Sequence, residues 1–219
     1  MYFDFNLLLA SIPLLLKGAV ITLEASLLAT LFGIGVGLIL IGMRAVPFRL
    51  LNYIASLYIS FVRGTPLLIQ IFFVYYALPG LVGLDVPPFF AGVLTLSLNS
   101  GAFLSEVFRA GISAIPRGQV EAAQALGLKK KIIWGRIILP QVFIKILPPL
   151  TNELTMLVKA SGLLSVITVV ELVRAAQQVM IQTFRPAEVL IAAAVFFFII
   201  CFLLSSLARR LERRAKLIN

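Results

Sequence analysis

Residues 187–208 read AEVLIAAAVFFFIICFLLSSLA. A helix needs roughly 20 apolar residues to cross the hydrocarbon core of a bilayer, and this block is long enough. Four further blocks behave the same way: Gly18–Met43, Leu51–Leu81, Pro88–Ile112, and one that begins after Pro140. The Leu51–Leu81 block contains Arg63-Gly64-Thr65-Pro66, where a helix can break. The block after Pro140 is interrupted by Pro148, Pro149, Asn152, Glu153 and Lys159, and ends near Ser161-Gly162 or at Val170. Its last piece, Leu163–Val170, reads either as the end of the span or as a short helix at the outer surface. The expected fold class is all-α, an integral membrane protein with five transmembrane helices.

Composition agrees. The chain is 61% hydrophobic and 13% charged, where soluble domains are about 45–50% apolar and about 25% charged. Mean hydropathy is +1.07. A net charge of +10 in a soluble protein would suggest nucleic acid first. Here the charge lies in the loops between apolar blocks, which is the pattern of positive charge kept in the cytoplasm. One set of segments holds Arg44, Arg49, Arg109, Arg117, Lys129, Lys130, Lys131, Arg136 and Lys145, and the tail adds Arg209, Arg210, Arg213, Arg214 and Lys216. The opposite set holds only Lys17, Arg174 and Arg185. Five spans with the N-terminus outside and the C-terminus inside put every basic cluster in the cytoplasm. An even count would export either the basic loop or the basic tail. No nucleic-acid partner is expected.

Cys201 is the one cysteine and histidine is absent, so an internal disulfide, an imidazole base and a histidine metal site are excluded. The start, Met1-Tyr2-Phe3-Asp4-Phe5, lacks a basic n-region, so the first helix is expected to act as its own insertion signal. There is no GxxxxGK[ST] nucleotide loop, so the chain cannot drive transport by itself. No internal repeat and no low-complexity tract is visible.

The longest polar stretch, 113–140, carries its own helix signals. Pro116 suits a first helical turn, good helix formers follow, and Gly127 supplies a left-handed stop. Val120, Ala123 and Leu126 form a narrow apolar stripe. A second short helix, Lys129–Ile138, is expected to stop at Pro140. Lys129 to Lys131 would then sit at a helix N-terminus, against the dipole. The result is a compact knuckle able to dock into a cleft on another protein. The other reading is an amphipathic loop lying on the membrane.

Glu121-Ala122-Ala123, then Gly127, then Ile137-Ile138-Leu139-Pro140 resembles the EAA motif of ABC importer permeases. The resemblance implies that Glu121, Ala122, Ala123, Gly127, Leu139 and Pro140 belong to the element that docks on the ATPase subunit. Three flanking stretches resemble signatures of the polar amino-acid (histidine/glutamine/arginine type) permeases. They are Arg63-Gly64-Thr65-Pro66-Leu67-Leu68-Ile69-Gln70, the segment from Asn99 to Ile112, and Asn152-Glu153 followed by Lys159-Ala160-Ser161-Gly162-Leu163. The last departs from the family's usual Lys-x-Thr-Ser-Leu.

The resemblance covers nearly the whole chain. It implies a type I ABC importer transmembrane fold, one permease domain over 1–219 with a core at 18–208 and a coupling loop at 113–140. It further implies a polar amino-acid substrate, basic (arginine, lysine or histidine) or glutamine, moved by alternating access. The partners implied are a cytoplasmic ATPase that binds the ATP, an extracytoplasmic solute-binding protein, and a second permease in a homodimer or heterodimer. The place implied is a bacterial inner membrane with its lipid. No catalytic residue, metal or cofactor belongs to the chain itself. The rival is a secondary carrier or channel, which would usually show a second, inverted set of spans. A membrane-bound enzyme would need a nucleophile–histidine pair or a metal cluster.

Ionisable residues at membrane depth cost about 2.5–3.5 kcal/mol on insertion scales, so they face a partner or a cavity. Glu24, Arg63, Glu106, Glu153 and Lys159 are such residues. Glu106 and Arg109 are helix neighbours at i, i+3, expected as an ion pair bracing the inner gate. Arg63 is expected to satisfy carbonyls freed at the Gly64–Pro66 break. If its helix starts after Pro140, Glu153 lies roughly 18 Å in, and Lys159, six residues on, points to another face. A carboxylate without a local partner there suits a ligand cation; an interhelical pair or a protonated acid would also satisfy it. Asn99 shares a face with Glu106, and Gln70 and Ser97 add neutral donors and acceptors. Glu153, Asn99, Gln70 and Ser97 are thus the candidate substrate contacts, with interhelical hydrogen bonding as the alternative role for the neutral three.

Overall fold

Each apolar block of the sequence is helical in the computed structural model, which describes residues 4–83 and 85–217, for 214–217 the backbone only. The Met1–Phe3 start and the side chains of Arg214 and Lys216 lie outside the described residues. In chain order the helices are α1 (Phe5–Ala45), α2 (Arg49–Gly64), α3 (Leu67–Val82), α4 (Pro88–Ser113), α5 (Arg117–Ala125), α6 (Lys130–Ile167), α7 (Leu172–Thr183) and α8 (Pro186–Leu217). Four of them, α1, α4, α6 and α8, are long and apolar enough to cross a membrane, and α2 with α3, bent by 110° at their break, forms either a fifth, broken span or a re-entrant loop. No strand occurs among the described residues. The chain is an all-α, multi-pass membrane protein.

The bend lies where the sequence predicts it. Thr65 precedes a proline, which disfavours the helical region, and it is extended at φ −114°, ψ 144°. The carbonyls released there are not taken by Arg63, as the sequence suggested. Gln70 takes them: its Nε2 donates to the Val62 carbonyl (2.8 Å), the Thr65 carbonyl (3.1 Å) and Thr65 Oγ1 (2.9 Å). Arg63 lies instead over the Phe103 ring, 5.4 Å from its centroid.

Two boundaries differ from the sequence reading. The first helix starts at Phe5, not Gly18, because Asp4 caps it by accepting from the backbone N–H groups of Asn6 (3.0 Å) and Leu7 (3.1 Å). Pro140 does not stop a helix: α6 runs unbroken from Lys130 to Ile167. A π-helical turn over Ile133–Ile138 widens the helix just upstream and relieves the clash a proline ring makes with the carbonyl four residues back. Pro148 and Pro149 are likewise internal to the helix. Leu163 to Ile167 closes α6 as a 3₁₀ turn, which settles that piece as the end of the span.

The amphipathic helix α7 was not anticipated. It packs against the first half of α1, close enough that a Cβ on Gly18 would sit 2.9 Å from Ala175 Cβ and from Leu172 Cα. Glu171, wholly buried, caps it by accepting from Val173 N and Arg174 N, both at 2.8 Å. Burial pushes this carboxyl above the usual range, and the two N–H groups oppose the shift. In its second half α1 meets α4 through small residues. A Cβ on Gly33 would meet Ser100 at 3.1 Å, and one on Gly37 would meet Leu104 at 3.1 Å. Such close backbone approach is how helices associate where no hydrophobic driving force exists between them.

Candidate functional site: a charged cleft and a coupling knuckle

The bend in α2–α3 delivers Arg63 to a cleft between α4 and α6. This cleft, about 640 Å³, is lined by Arg63, Phe103, Glu106, Lys145, Asn152 and Glu153, and by the small Ala110 and Gly111. Gly111 brings α4 against Ile146 of α6, which pins the two walls together at that level. Pro149 lines the α6 wall; having no N–H, it cannot donate to the Lys145 carbonyl one turn back. The α6 wall therefore offers a carboxylate at Glu153 and an under-used carbonyl, while Arg63 and Lys145 bring positive charge.

The two glutamates of the cleft differ. Glu106 is fully engaged: Arg44 of α1 donates to Oε1, and Arg109 donates to Oε2 from Nη2 (2.6 Å) and Nε (2.9 Å). The Glu106–Arg109 pair was legible from spacing. Arg44, 62 positions away, was not. Glu153 makes no ion pair with any described residue. Beside it lies the wholly buried hydroxyl of Ser100. Lys159 is exposed and forms no ion pair with a described residue, and Glu24 is exposed on α1.

The neutral candidates do not line the cleft. Asn99 Nδ2 donates to Gln70 Oε1 at 3.0 Å, tying α4 to the bend. Ser97 is buried and donates to the Val93 carbonyl at 2.6 Å. Lys145, Asn152, Phe103 and Met156 are cleft residues that sequence reasoning had not assigned to a ligand. Met156 lies at i+3 of Glu153, and Asn152 stands four residues before Met156, so helical spacing could have found them.

At the basic end of the bundle, α5 forms the knuckle. Its end is a Schellman motif: Gly127 is left-handed at φ +72°, its N–H reaches the Gln124 carbonyl (2.9 Å), and the Leu128 N–H reaches the Ala123 carbonyl (3.1 Å). Ala123 is buried with Ile115, Ile133, Ile138 and Val142, and Val120 packs on that cluster. Gln141 Nε2 donates to Gln119 Oε1 at 2.8 Å and fastens α5 to α6. The expected apolar stripe is therefore split. Ala123 and Val120 hold the knuckle to α6, whereas Leu126 is 79% exposed. Glu121, Ala122, Gly127, Leu139 and Pro140 are exposed as well.

Similarity to known proteins bears on both features. The family of binding-protein-dependent transport system inner membrane components matches residues 29–217. The glutamine transport system permease protein of Escherichia coli is 39% identical over 219 residues, spanning 100% of each chain. The arginine transport system permease protein of Bacillus subtilis is 38% identical over 216 residues, 99% of each chain. A solved amino-acid ABC transporter with histidines superimposes with a TM-score of 0.92 at 36% identity, covering 98% of this chain and 100% of that one. With its bent α2–α3 pair and its knuckle between α4 and α6, the chain belongs to the family of binding-protein-dependent transport system inner membrane components, the permease subunits of ABC importers.

Proposed function

We propose that this permease imports a polar amino acid, arginine, lysine, histidine or glutamine, through the cleft between α4 and α6. The observation that carries the reading is Glu153: a carboxylate on the cleft wall with no ion-pair partner among the described residues, in a cleft that Arg63 also lines. An amino acid is a zwitterion. Its carboxylate suits the Arg63 guanidinium, and an ammonium or a basic side chain suits Glu153. Relatives named for glutamine and for arginine transport support this class. Gln70 and Asn99 act by holding the bend that presents Arg63, and Glu106 with Arg44 and Arg109 braces the inner gate.

The subunit works with an ATPase and a binding protein and is not itself an enzyme. The α5 knuckle, through Glu121 and Leu126, is the element that docks on the ATPase. A second copy or a close homologue completes the pathway. Transport is by alternating access, with ATP binding in the partner supplying the free-energy difference between inward and outward states. Vesicles carrying the chain alone should take up neither labelled arginine nor glutamine, and adding the ATPase subunit with ATP should restore uptake. Gradient-driven uptake by the chain alone would establish a secondary carrier instead.

The N-terminus lies outside and the C-terminus in the cytoplasm of a bacterial inner membrane, in keeping with the gathering of Arg44, Arg109, the knuckle lysines and Arg209 toward one face. In a Cys201→Ser background, a cysteine at Gly83 should react with an impermeant maleimide from outside. A cysteine at Arg213 should react only after the membrane is opened. Outside labelling at Arg213 would refute five crossings.

A further inference from the structure

On the face of α4 and α6 turned away from the substrate cleft lies a second, different cavity. It is a groove of about 460 Å³, walled by Leu38 of α1, Phe108 of α4, and Phe143 and Ile146 of α6, with no charged residue along it. Ile41 and Ile112 line this groove and also line an adjoining cavity of about 330 Å³ that holds Arg44, Arg109, Asn52 and Trp134. The apolar groove thus opens directly into a basic mouth.

Three properties of the mouth suit an anion. Two guanidinium groups face one carboxylate, Glu106, which leaves a positive charge. Glu106 engages Arg44 through Nη1 and Arg109 through Nη2 and Nε, and a guanidinium has five N–H donors, so donors remain on both. Both arginines are accessible, at 28% and 53%. Trp134 lines the same cavity and is 43% exposed, and tryptophan is enriched at the membrane–water interface.

The length also fits. From Ile34, deep in the groove, to Arg44 at the mouth is ten residues of α1, about 15 Å of helix. That is the depth of one leaflet of a hydrocarbon core about 30 Å thick. Basic pockets between helices on the cytoplasmic side are suited to anionic headgroups.

We propose that this groove and its arginine mouth form a binding site for one anionic phospholipid of the leaflet at the basic end, its phosphate on Arg44 and Arg109 and an acyl chain along α1, α4 and α6. Because Arg44 and Arg109 also hold Glu106, the lipid would tighten the brace at the inner end of the substrate cleft. The proposal is independent of which amino acid is carried.

The test uses the purified permease complex, equilibrated in vesicles of equal phosphatidylglycerol and phosphatidylcholine and re-extracted in mild detergent for native mass spectrometry. Phosphatidylglycerol should be retained over phosphatidylcholine by about fivefold or more, and Arg44→Gln should lower that retention about fivefold. Leu38→Trp, which fills the groove and leaves the Arg44–Glu106–Arg109 contact intact, should lower it as well and guards against misfolding of the charge variant. Equal retention of the two lipids would overturn the proposal, as would retention insensitive to both substitutions. Displacement by millimolar glycerol 3-phosphate would overturn it in favour of a simple phosphate site. Disulfide-linked pairs from Phe143→Cys in the Cys201→Ser background would overturn it in favour of a second copy of the chain.

Discussion

Replacing Gly127 with proline is expected to abolish uptake while the chain still inserts and folds. Gly127 stands at φ +72°, and proline locks φ near −65°. The substitution also removes the N–H that reaches the Gln124 carbonyl, and it disrupts the turn in which Leu128 N–H reaches Ala123. A misplaced proline costs about 3 kcal/mol or more, enough to undo a nine-residue helix held by one buried alanine and its neighbours. The spans do not depend on that turn, so membrane insertion should persist. The loss falls on the tip, where Leu126 and Glu121 are exposed. Gly127→Ala places an L-residue in the left-handed region at a cost of roughly 1–2 kcal/mol and should leave partial activity. Glu121→Lys reverses charge on the same exposed face and should also abolish uptake, with the turn intact. The measurements are co-purification of the ATPase subunit and uptake by the reconstituted complex. A normal complex with normal uptake in both Gly127→Pro and Glu121→Lys would remove the knuckle from coupling.

The sequence displayed whatever is written in composition and local chemistry. The span Pro88–Ile112 meets the observed Pro88–Ser113 almost residue for residue, because a Gly/Pro turn precedes it and a polar loop follows. The break at Gly64–Pro66 and the stop at Gly127 were visible because proline and glycine act on their immediate neighbours. What was hidden depends on contacts between distant segments. Arg44 looks like one more cytoplasmic arginine until α1 crosses α4 and brings it to Glu106. Gln70 reads as a ligand contact or as a hydrogen-bond partner between helices until the bend turns it back on Val62 and Thr65. Pro140 was misread for a different reason. Its usual effect assumes an α-helix upstream, and a π turn upstream removes the clash. Helix α7 is amphipathic and short, so it carries no spanning signal. Its burial comes from Gly18 and from a capping glutamate that only the tertiary fold encloses.

These differences sharpen the contrast between the two glutamates of the cleft, and that contrast sets the last expectation. Glu106 is compensated by two arginines, so removing its charge would strand them and loosen the basic end of α1 and α4. Glu153 has no ion-pair partner among the described residues to strand. Its neutral isostere should therefore leave the fold intact and act only on what enters the cleft. With a basic amino acid bound, Glu153 would form a buried charge pair. Removing one member of such a pair leaves the other uncompensated, at about 3–5 kcal/mol. Glu153→Gln should thus lower arginine uptake on the order of 100-fold or more, since each 1.4 kcal/mol is about tenfold. Glutamine carries no second cation, and its uptake should fall far less, because the new amide still offers a hydrogen-bond acceptor. The measurement is uptake of labelled arginine and labelled glutamine by the reconstituted complex, with and without the substitution. A background able to transport without the solute-binding protein keeps that protein's selectivity out of the comparison. Equal loss for both substrates, with the complex intact, would make Glu153 a structural residue. Unchanged arginine uptake would place it outside the pathway and leave Arg63 and the carbonyls of α6 to hold the substrate.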